Sequence, residues 1–355
     1  MKLYHLSDLH LGASAPSFSA GKRDALVLKK LKEILRKAEN EGVFAIILAG
    51  DIFDSNAVLT TLARSFFEIL CEFPELCFVL IPGGGSFHQG EISGHDAFGP
   101  DSVYLRPEIK PYLEAQHINL LTPDNSATLI DFSGKKIGFY AGFFAFPDVS
   151  LFPSADYHVA IMHGAFGPNQ AYETPLPQEV LSSFDYLALG HYHGFKKLAE
   201  NAFYSGAFVQ FEYLPGEKAL SGYLEVSLAP KGLLVERKVL EGAPSFLRLR
   251  IMSENDLDKI KNLDFEHTFL RVESYLENFK EELAALCKHF PGHIQIAEGA
   301  EIPKADLIFY QTFEKLLEEV PDELQDEVRE FVLYGLLVSQ KPSTLKSFLE
   351  EKYLK

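Results

Sequence analysis

Short apolar runs alternate with amphipathic stretches through the first two-thirds of the chain, and several of the runs end on an aspartate or a histidine. This is the pattern of strands connected through helices in a layered α/β or α+β domain. Residues 3–6 read as a short strand. The stretch from Arg23 to Glu39 places Leu26, Leu28, Leu31, Ile34 and Leu35 in a helical stripe, and Gly42 follows as a stop signal. Phe44 to Leu48 and Phe78 to Ile81 are β-branched or aromatic runs that predict buried strands, with a helix over Val58 to Glu72 between them. Further strands are expected at 128–131, 136–140, 157–161 and 186–189. From Ala202 to Leu240 the helical signal disappears, and Tyr204, Phe208, Tyr223 to Val226 and Leu233 to Val239 predict consecutive strands.

Gly and Pro cluster in Glu241-Gly-Ala-Pro-Ser245, and the pattern changes after it, so a domain boundary is expected there. The expected division is 1–244, 245–304 and a helical segment over 305–355. Strands are predicted at 246–251 and 268–273, with Ser253-Glu-Asn-Asp256 as a capping box opening a helix between them. Helices are expected at 306–320, 322–337 and 343–353. A length of 355 residues, 47% of them hydrophobic and 23% charged, suits about two folded domains and excludes wholesale disorder or a fibrous repeat.

Lys and Arg number 33 against 50 Asp and Glu, a net charge of −17, of which −7 falls in residues 1–250 and −10 beyond. Such a balance argues against nucleic-acid or membrane binding by bulk electrostatics alone. Cys71, Cys77 and Cys287 are odd in number, far apart and flanked by apolar residues, which predicts reduced core thiols and a cytoplasmic setting. The start, Met1-Lys-Leu-Tyr-His-Leu-Ser-Asp8, lacks the long apolar stretch of a signal peptide, and runs such as Val43 to Ala49 are too short to span a bilayer.

Five motifs put Asp or His at or soon after predicted strand ends: Asp8-Leu-His10, Gly50-Asp51-Ile-Phe-Asp54, Gly94-His95-Asp96, His163-Gly164 and Gly190-His191-Tyr-His193. Carboxylate and imidazole are ligands for Mn, Fe or Zn, and two ligands one residue apart can reach one centre from a loop leaving a strand. Open α/β sheets build their sites outside the carboxyl ends of strands. The glycines beside Asp51, His163 and His191 would let metals and substrate oxygens approach the backbone. Any one motif has a plainer explanation, since an Asp after a strand usually caps or turns and a His in an apolar run is usually a core residue. All five in this order predict a dinuclear metal centre.

His5-Leu-Ser-Asp-Leu-His-Leu-Gly12, Leu48-Ala-Gly-Asp-Ile-Phe-Asp54, Leu187-Ala-Leu-Gly-His-Tyr-His193 and Tyr204-Ser-Gly206 resemble the motifs of the calcineurin-like metallophosphoesterase superfamily, most closely its DNA-repair nuclease branch, the SbcD-type exonuclease subunits. The resemblance covers about residues 1–240. It implies an α+β fold, a four-layer α/β/β/α sandwich followed by a smaller C-terminal α/β capping domain and terminal helices. It also implies that Asp8, His10 and His193 ligate one divalent ion, His163 and His191 the other, with Asp51 bridging. Mn is the expected metal, with Fe or Zn as alternatives. Asp54 is left between a supporting role behind the ligands and a purely structural one.

One departure stands out. Where the family has Gly-Asn-His-Asp after the third strand, this chain has Ile81-Pro-Gly-Gly-Gly-Ser-Phe-His-Gln-Gly90. A simple alignment puts Gly84 and Gly85 at the Asn and His positions. The preferred alignment extends the loop so that the motif resumes at Ser93-Gly94-His95-Asp96, supported by the Ser-Val-Tyr104 that follows, and makes His95 the catalytic histidine with His88 as the fallback. Gly94 then replaces the Asn ligand.

The resemblance further implies phosphodiester cleavage of DNA and an SMC-like ATPase partner docking on the last helices, unless these pack in an ordinary intrachain core; the net charge predicts weak DNA binding by the isolated chain. Family members are often dimers, so a homodimer stays open. Lys22, Arg23, Lys29, Lys30, Lys32, Arg36 and Lys37 on the first helix would meet phosphates, unless they form an ordinary solvated face. Phe87, Phe98 and Tyr104 would stack on bases, unless they pack in the core or loop. Two competing expectations are a phosphoesterase for small phosphoesters or nucleotides, and an interaction subunit whose extended loop has disabled the site.

Overall fold

The computed structural model describes residues 1–16, 18–84, 95–168, 173–216, 220–230, 232–251, 260, 263, 265–274, 280–290 and 292–298. The chain divides into two compact units, Met1–Glu212 with Glu217–Ser245, and Tyr213–Gly216 with Phe246–Lys355. The segment 305–355, the capping box at 253–256, and Gly85, Phe87, His88, Ser93 and Gly94 lie outside the described residues.

In the first unit the order is β1 (Lys2–Leu6), α1 (Ala20–Asn40), β2 (Ala45–Ala49), α2 (Thr60–Cys71), β3 (Cys77–Ile81), α3 (Lys110–Leu113), β4 (Ile118–Leu120), β5 (Ala127–Phe132), β6 (Lys135–Gly142), β7 (Tyr157–His163), α4 (Gln178–Ser183), β8 (Tyr186–Gly190), β9 (Lys196–Ala199) and β10 (Ala202–Tyr204). The short β11 (Leu214–Pro215) belongs to the second unit, and β12 (Gly222–Ala229) and β13 (Gly232–Val239) return to the first. The strands of the first unit form two six-stranded sheets, ordered β13-β12-β1-β2-β3-β4 and β5-β6-β7-β8-β10-β9. β1 to β4 run parallel, as do β6 to β8.

Period-two alternation decides which residue goes where. Leu3, Ile47, Val79, Val159, Ile161 and Ala188 meet in a core shared by the two sheets. Tyr4, Leu6, Ile46, Leu48 and Leu80 face the other way, into a core with Val27, Leu31 and Leu35 of α1 and Phe66, Phe67 and Leu70 of α2. On the far side, Ala160, Met162, Leu187 and Leu189 pack with Phe184 and, from α4, Val180 and Leu181. The result is the α/β/β/α sandwich expected. Strands covered on both faces are apolar at every position, which is why β2 and β8 read as unbroken hydrophobic runs.

Details differ from expectation. α1 starts at Ala20 rather than Arg23, and the apolar residues it buries are Val27, Leu31, Ile34, Leu35 and Ala38, with Leu26 and Leu28 at the edges of the stripe. Phe208 is buried but lies in a bend rather than a strand. All three cysteines are free and only partly buried, so they are less central than core thiols.

The second unit has a four-stranded sheet, β11-β14-β15-β16, with β14 (Ser245–Ile251), β15 (Thr268–Ser274), α5 (Lys280–His289) and β16 (Ile294–Glu298). Ile251, Ile260, Phe265, Leu270, Val272 and Leu283 make its core. No helix among the described residues is long and apolar enough to cross a membrane.

Candidate metal centre

β1, β2, β3, β7 and β8 each hand their chain to a loop carrying chemistry. The loops after β1 and β2 are zipped together: the Asp8 N–H donates to the Gly50 carbonyl (3.1 Å), His10 to Asp51 (2.9 Å) and Leu11 to Ile52 (2.9 Å). Asp8 and Asp51 thus stand side by side. β7 keeps its alternation to the end, so His163 follows Val159 and Ile161 onto the face between the sheets and puts Nε2 3.2 Å from Asp51 Oδ2. A Cβ on Gly50 would stand 2.3 Å from His163 Nδ1, so the glycine beside Asp51 makes room for an imidazole rather than for a substrate oxygen.

Asp8, His10, Asp51 and His163 are all buried. Three sets of ligand atoms lie within 4.8 Å of one another: Asp8, His10 and His193; Asp8, Asp51 and His163; and His10, Asp54 and His95. Around Asp51 Oδ2 stand the Nε2 atoms of His163, His10 (3.6 Å) and His95 (3.9 Å). His191 is in none of these sets. Its ring lies 5.7 Å from that of His163, and its backbone N–H donates to Asp8 Oδ1 (3.0 Å).

Each inner imidazole is oriented from behind. His10 Nδ1 is 3.3 Å from Asp54 Oδ1, His193 Nδ1 meets Glu212 Oε1, and His163 Nδ1 donates to the Ala49 carbonyl (2.8 Å). With Nδ1 engaged outward, the Nε2 atoms face inward, the orientation in which an imidazole can meet a cation there. Asp54 therefore stands behind His10, a candidate ligand.

The electrostatics follow from burial. Burial resists the ionisation of Asp51, yet His163, His10 and His95 hold its carboxyl well below the usual range. Burial alone would lower the His163 pKa, but Asp51, Asp8 and the Ala49 carbonyl lift it to about 10. These opposite shifts express one demand, for positive charge beside two buried carboxylates.

The split third motif closes in space. The Gly83 N–H donates to Asp96 Oδ1, while Asp96 Oδ2 accepts from Ile52, Phe53 and the Tyr104 hydroxyl. Asp96 is fully buried, and burial together with the Asp51 charge pushes its pKa up to about 6. A Cβ on Gly83 would fall 1.7 Å from Asp51 Oδ1, so this position must be glycine. His95, half-exposed, has Nδ1 2.8 Å from the Asp54 carbonyl. Tyr104 is buried and holds Asp96, which removes it as a base-stacking residue; Phe98 packs partly against the helix-side core.

The first helix differs most from expectation. Arg23 is buried, not a phosphate-facing cation: its guanidinium donates to the carbonyls of His10 (2.6 Å), Leu9 (2.8 Å) and Val209 (3.0 Å) and lies over the Phe211 ring. Asp24 Oδ1 accepts from the Gly12 N–H. Lys29 and Lys30 pair with Glu33, Lys32 with Glu72 and Lys37 with Glu41. Lys22 and Arg36 keep no ion pair among the described residues.

A family model described as Calcineurin-like phosphoesterase matches residues 1–195. The chain belongs to that family. Among solved structures it is similar to a purple acid phosphatase from yellow lupin (Lupinus luteus) seeds, at 11% identity and a TM-score of 0.39, covering 69% of this chain and 52% of that one. It is also similar to Vps29 from Entamoeba histolytica complexed with zinc, at 11% identity and a TM-score of 0.29, covering 68% and 100%. The chain thus spans about half the length of the lupin phosphatase.

Calcineurin-like phosphoesterases use divalent metal ions, and the residues present fit such ions on two observations. Asp51 Oδ1 is buried without a hydrogen-bond partner, an arrangement that costs free energy unless a cation meets it. His10 Nε2 and His193 Nε2 face each other at 3.2 Å. With both Nδ1 atoms turned to carboxylates, this is about the spacing of two nitrogens each about 2.1 Å from one ion. The donor set of the chain is one that suits a family of metal-dependent phosphoesterases.

Sequence reasoning missed Glu212, Phe211 and the role of Arg23. No spacing rule points to Glu212, which comes from a segment that carries no motif. For Arg23 the one available signal was an Arg-Asp pair at the start of the helix that follows the Asp8-Leu-His10 loop.

Proposed function

We propose that the chain is a two-metal phosphodiesterase, a Mn-dependent DNA exo- or endonuclease that works with an SMC-like ATPase partner in double-strand-break repair. The observation that carries the phosphodiesterase reading is the convergence of Asp8, His10, His163 and His193 around buried Asp51, with its unpartnered Oδ1. The DNA substrate rests on the resemblance of the three long motifs to the repair-nuclease branch.

In this reading Asp8, His10 and His193 would hold one ion and His163 and His191 the other, with Asp51 serving both. Two such ions, when bound, polarise phosphoryl oxygens, lower the pKa of water and stabilise attacking and leaving oxygens. Asp51 offsets their mutual repulsion with one carboxylate. Asp54, Glu212 and the Ala49 carbonyl fix the tautomers of His10, His193 and His163, so nothing has to reorganise when substrate arrives. His95 directs Nδ1–H at the Asp54 carbonyl, which leaves Nε2 to carry a proton to the leaving oxygen.

A second reading, hydrolysis of small phosphoesters, is favoured by the pairing of most α1 cations with glutamates. One experiment separates the two. End-labelled DNA and a mononucleotide are each incubated with Mn2+ and the full chain, the Asp51→Ala, His163→Ala and His95→Ala variants, or no protein. Cleavage of DNA that falls more than about 100-fold in Asp51→Ala and His163→Ala, and about 100-fold or more in His95→Ala, is the expected result. Turnover of the mononucleotide alone would favour the second reading. Turnover of neither substrate, with less than stoichiometric metal in a parallel metal-content measurement, would favour an interaction subunit.

A further inference from the structure

We propose that Glu212 is a positioning residue for the metal centre: its carboxylate fixes the tautomer and orientation of His193, so that Nε2 faces His10 and the ion they share. The inference rests on the two-metal reading above. The free imidazole populates both tautomers, and the one protonated on Nε2 cannot ligate through that atom. Glu212 Oε1 accepts from His193 Nδ1 and removes that choice.

The residues around Glu212 are arranged for the same end. Gln210 donates through Nε2 to the His193 carbonyl. The Phe211 ring packs on both imidazoles, 4.7 Å from His10 and 4.6 Å from His193. The Arg23 guanidinium lies over the Phe211 ring, 4.7 Å from its centroid, and binds the Val209 carbonyl together with those of Leu9 and His10. Residues 209–212 thus hold His193 and the Asp8-Leu-His10 loop in one register. Glu212 itself is 47% exposed, and an exposed ion pair contributes little to folding. Its loss should therefore register in the metal site and not in the stability of the metal-free chain.

The test is a calorimetric Mn2+ titration of the full chain, with the visible absorption of the Co2+ form as a second readout. Wild type, Glu212→Ala, Glu212→Gln and Glu72→Ala are compared, the last removing an exposed carboxylate from the Lys32 pair. Two ions are expected in wild type. In Glu212→Ala one site weakens about 10- to 100-fold, the other keeps its affinity, and the Co2+ spectrum changes. Glu212→Gln loses less, because its amide oxygen still accepts from Nδ1–H. Glu72→Ala matches wild type, and all four chains melt together in chelator. Wild-type affinity and spectrum in Glu212→Ala would overturn the proposal, as would an equal drop in its metal-free melting temperature and in both sites. A wild-type chain that takes up no ion would bring down the two-metal reading itself, and this inference with it.

Discussion

Arg23 sets its guanidinium on three backbone carbonyls, two of them in the loop that carries Asp8 and His10. Burial lowers its pKa to about 10, still far above neutrality, so it remains a cation beside the carboxylates. Arg23→Met keeps the length of the stem and strands all three acceptors. Each buried unsatisfied group costs about 1–3 kcal/mol, partly offset here because a buried charge also goes, so a net loss of about 3 kcal/mol is expected. Urea unfolding in chelator measures it; a loss below about 1 kcal/mol would mean that water serves the carbonyls as well. The candidate ligand types were legible at this scale, since an Asp or His at a strand end announces its own chemistry. Arg23 was not, because a lone cation in a basic helix looks the same whether it faces water or backbone.

The loops that leave the strands are strained at the residues that carry the chemistry. Asp8 (φ 52°), His10 (φ 45°), Asp51 (φ 49°) and His191 (φ 115°) all lie in the left-handed region, which L side chains rarely adopt. Such outliers cost about 1–3 kcal/mol each and persist where the surrounding structure over-determines them. His191 is the most extreme; the residue is exposed, and its packing is the ring contacts with His163 and Tyr192. His191→Gly is expected to stabilise the metal-free chain by about 1 kcal/mol while weakening metal binding, as in other stability-for-function exchanges. Thermal melting in chelator and a Mn2+ titration check the two halves; a destabilised metal-free variant would show that the strain is relieved elsewhere. Hydrophobic period located α1, α2 and the central strands to within a few residues. It could not choose between two alignments after β3, because the bond that joins Gly83 to Asp96 spans a loop whose length the pattern does not encode.

Across the whole first unit, the two sheets are joined at their centre by a polar contact: His5 Nδ1 of β1 lies 2.8 Å from the Tyr186 hydroxyl of β8, in an otherwise apolar core. Burial drives the His5 pKa down to about 3. A base whose folded pKa is depressed contributes its full stability above the unfolded value of about 6.5 and loses it as pH falls, because the unfolded chain takes up a proton that the fold refuses. From pH 7 to pH 4.5 that loss is about 2.5 kcal/mol. Urea unfolding at both pH values in chelator, for wild type and His5→Gln, isolates it: the wild-type chain should lose that much more than the variant. Equal losses would mean that His5 is protonated inside the fold. The charge of −17 belongs to this scale as well. With most α1 cations already paired to glutamates, little unpaired positive charge on this helix offsets it.

The sequence by itself determined the alternation that builds the sandwich and the residue types at its strand ends, because period and ligand chemistry are local properties that a few neighbours suffice to reveal. The tertiary structure alone decided how those side chains are aimed. His10 and His193 are 183 positions apart, His163 and Ala49 are 114, and Glu212 reaches its histidine from a segment with no motif of its own. Which nitrogen of an imidazole faces inward is set by the acceptor behind it, and that acceptor is supplied by whichever loop the packed sheets bring alongside.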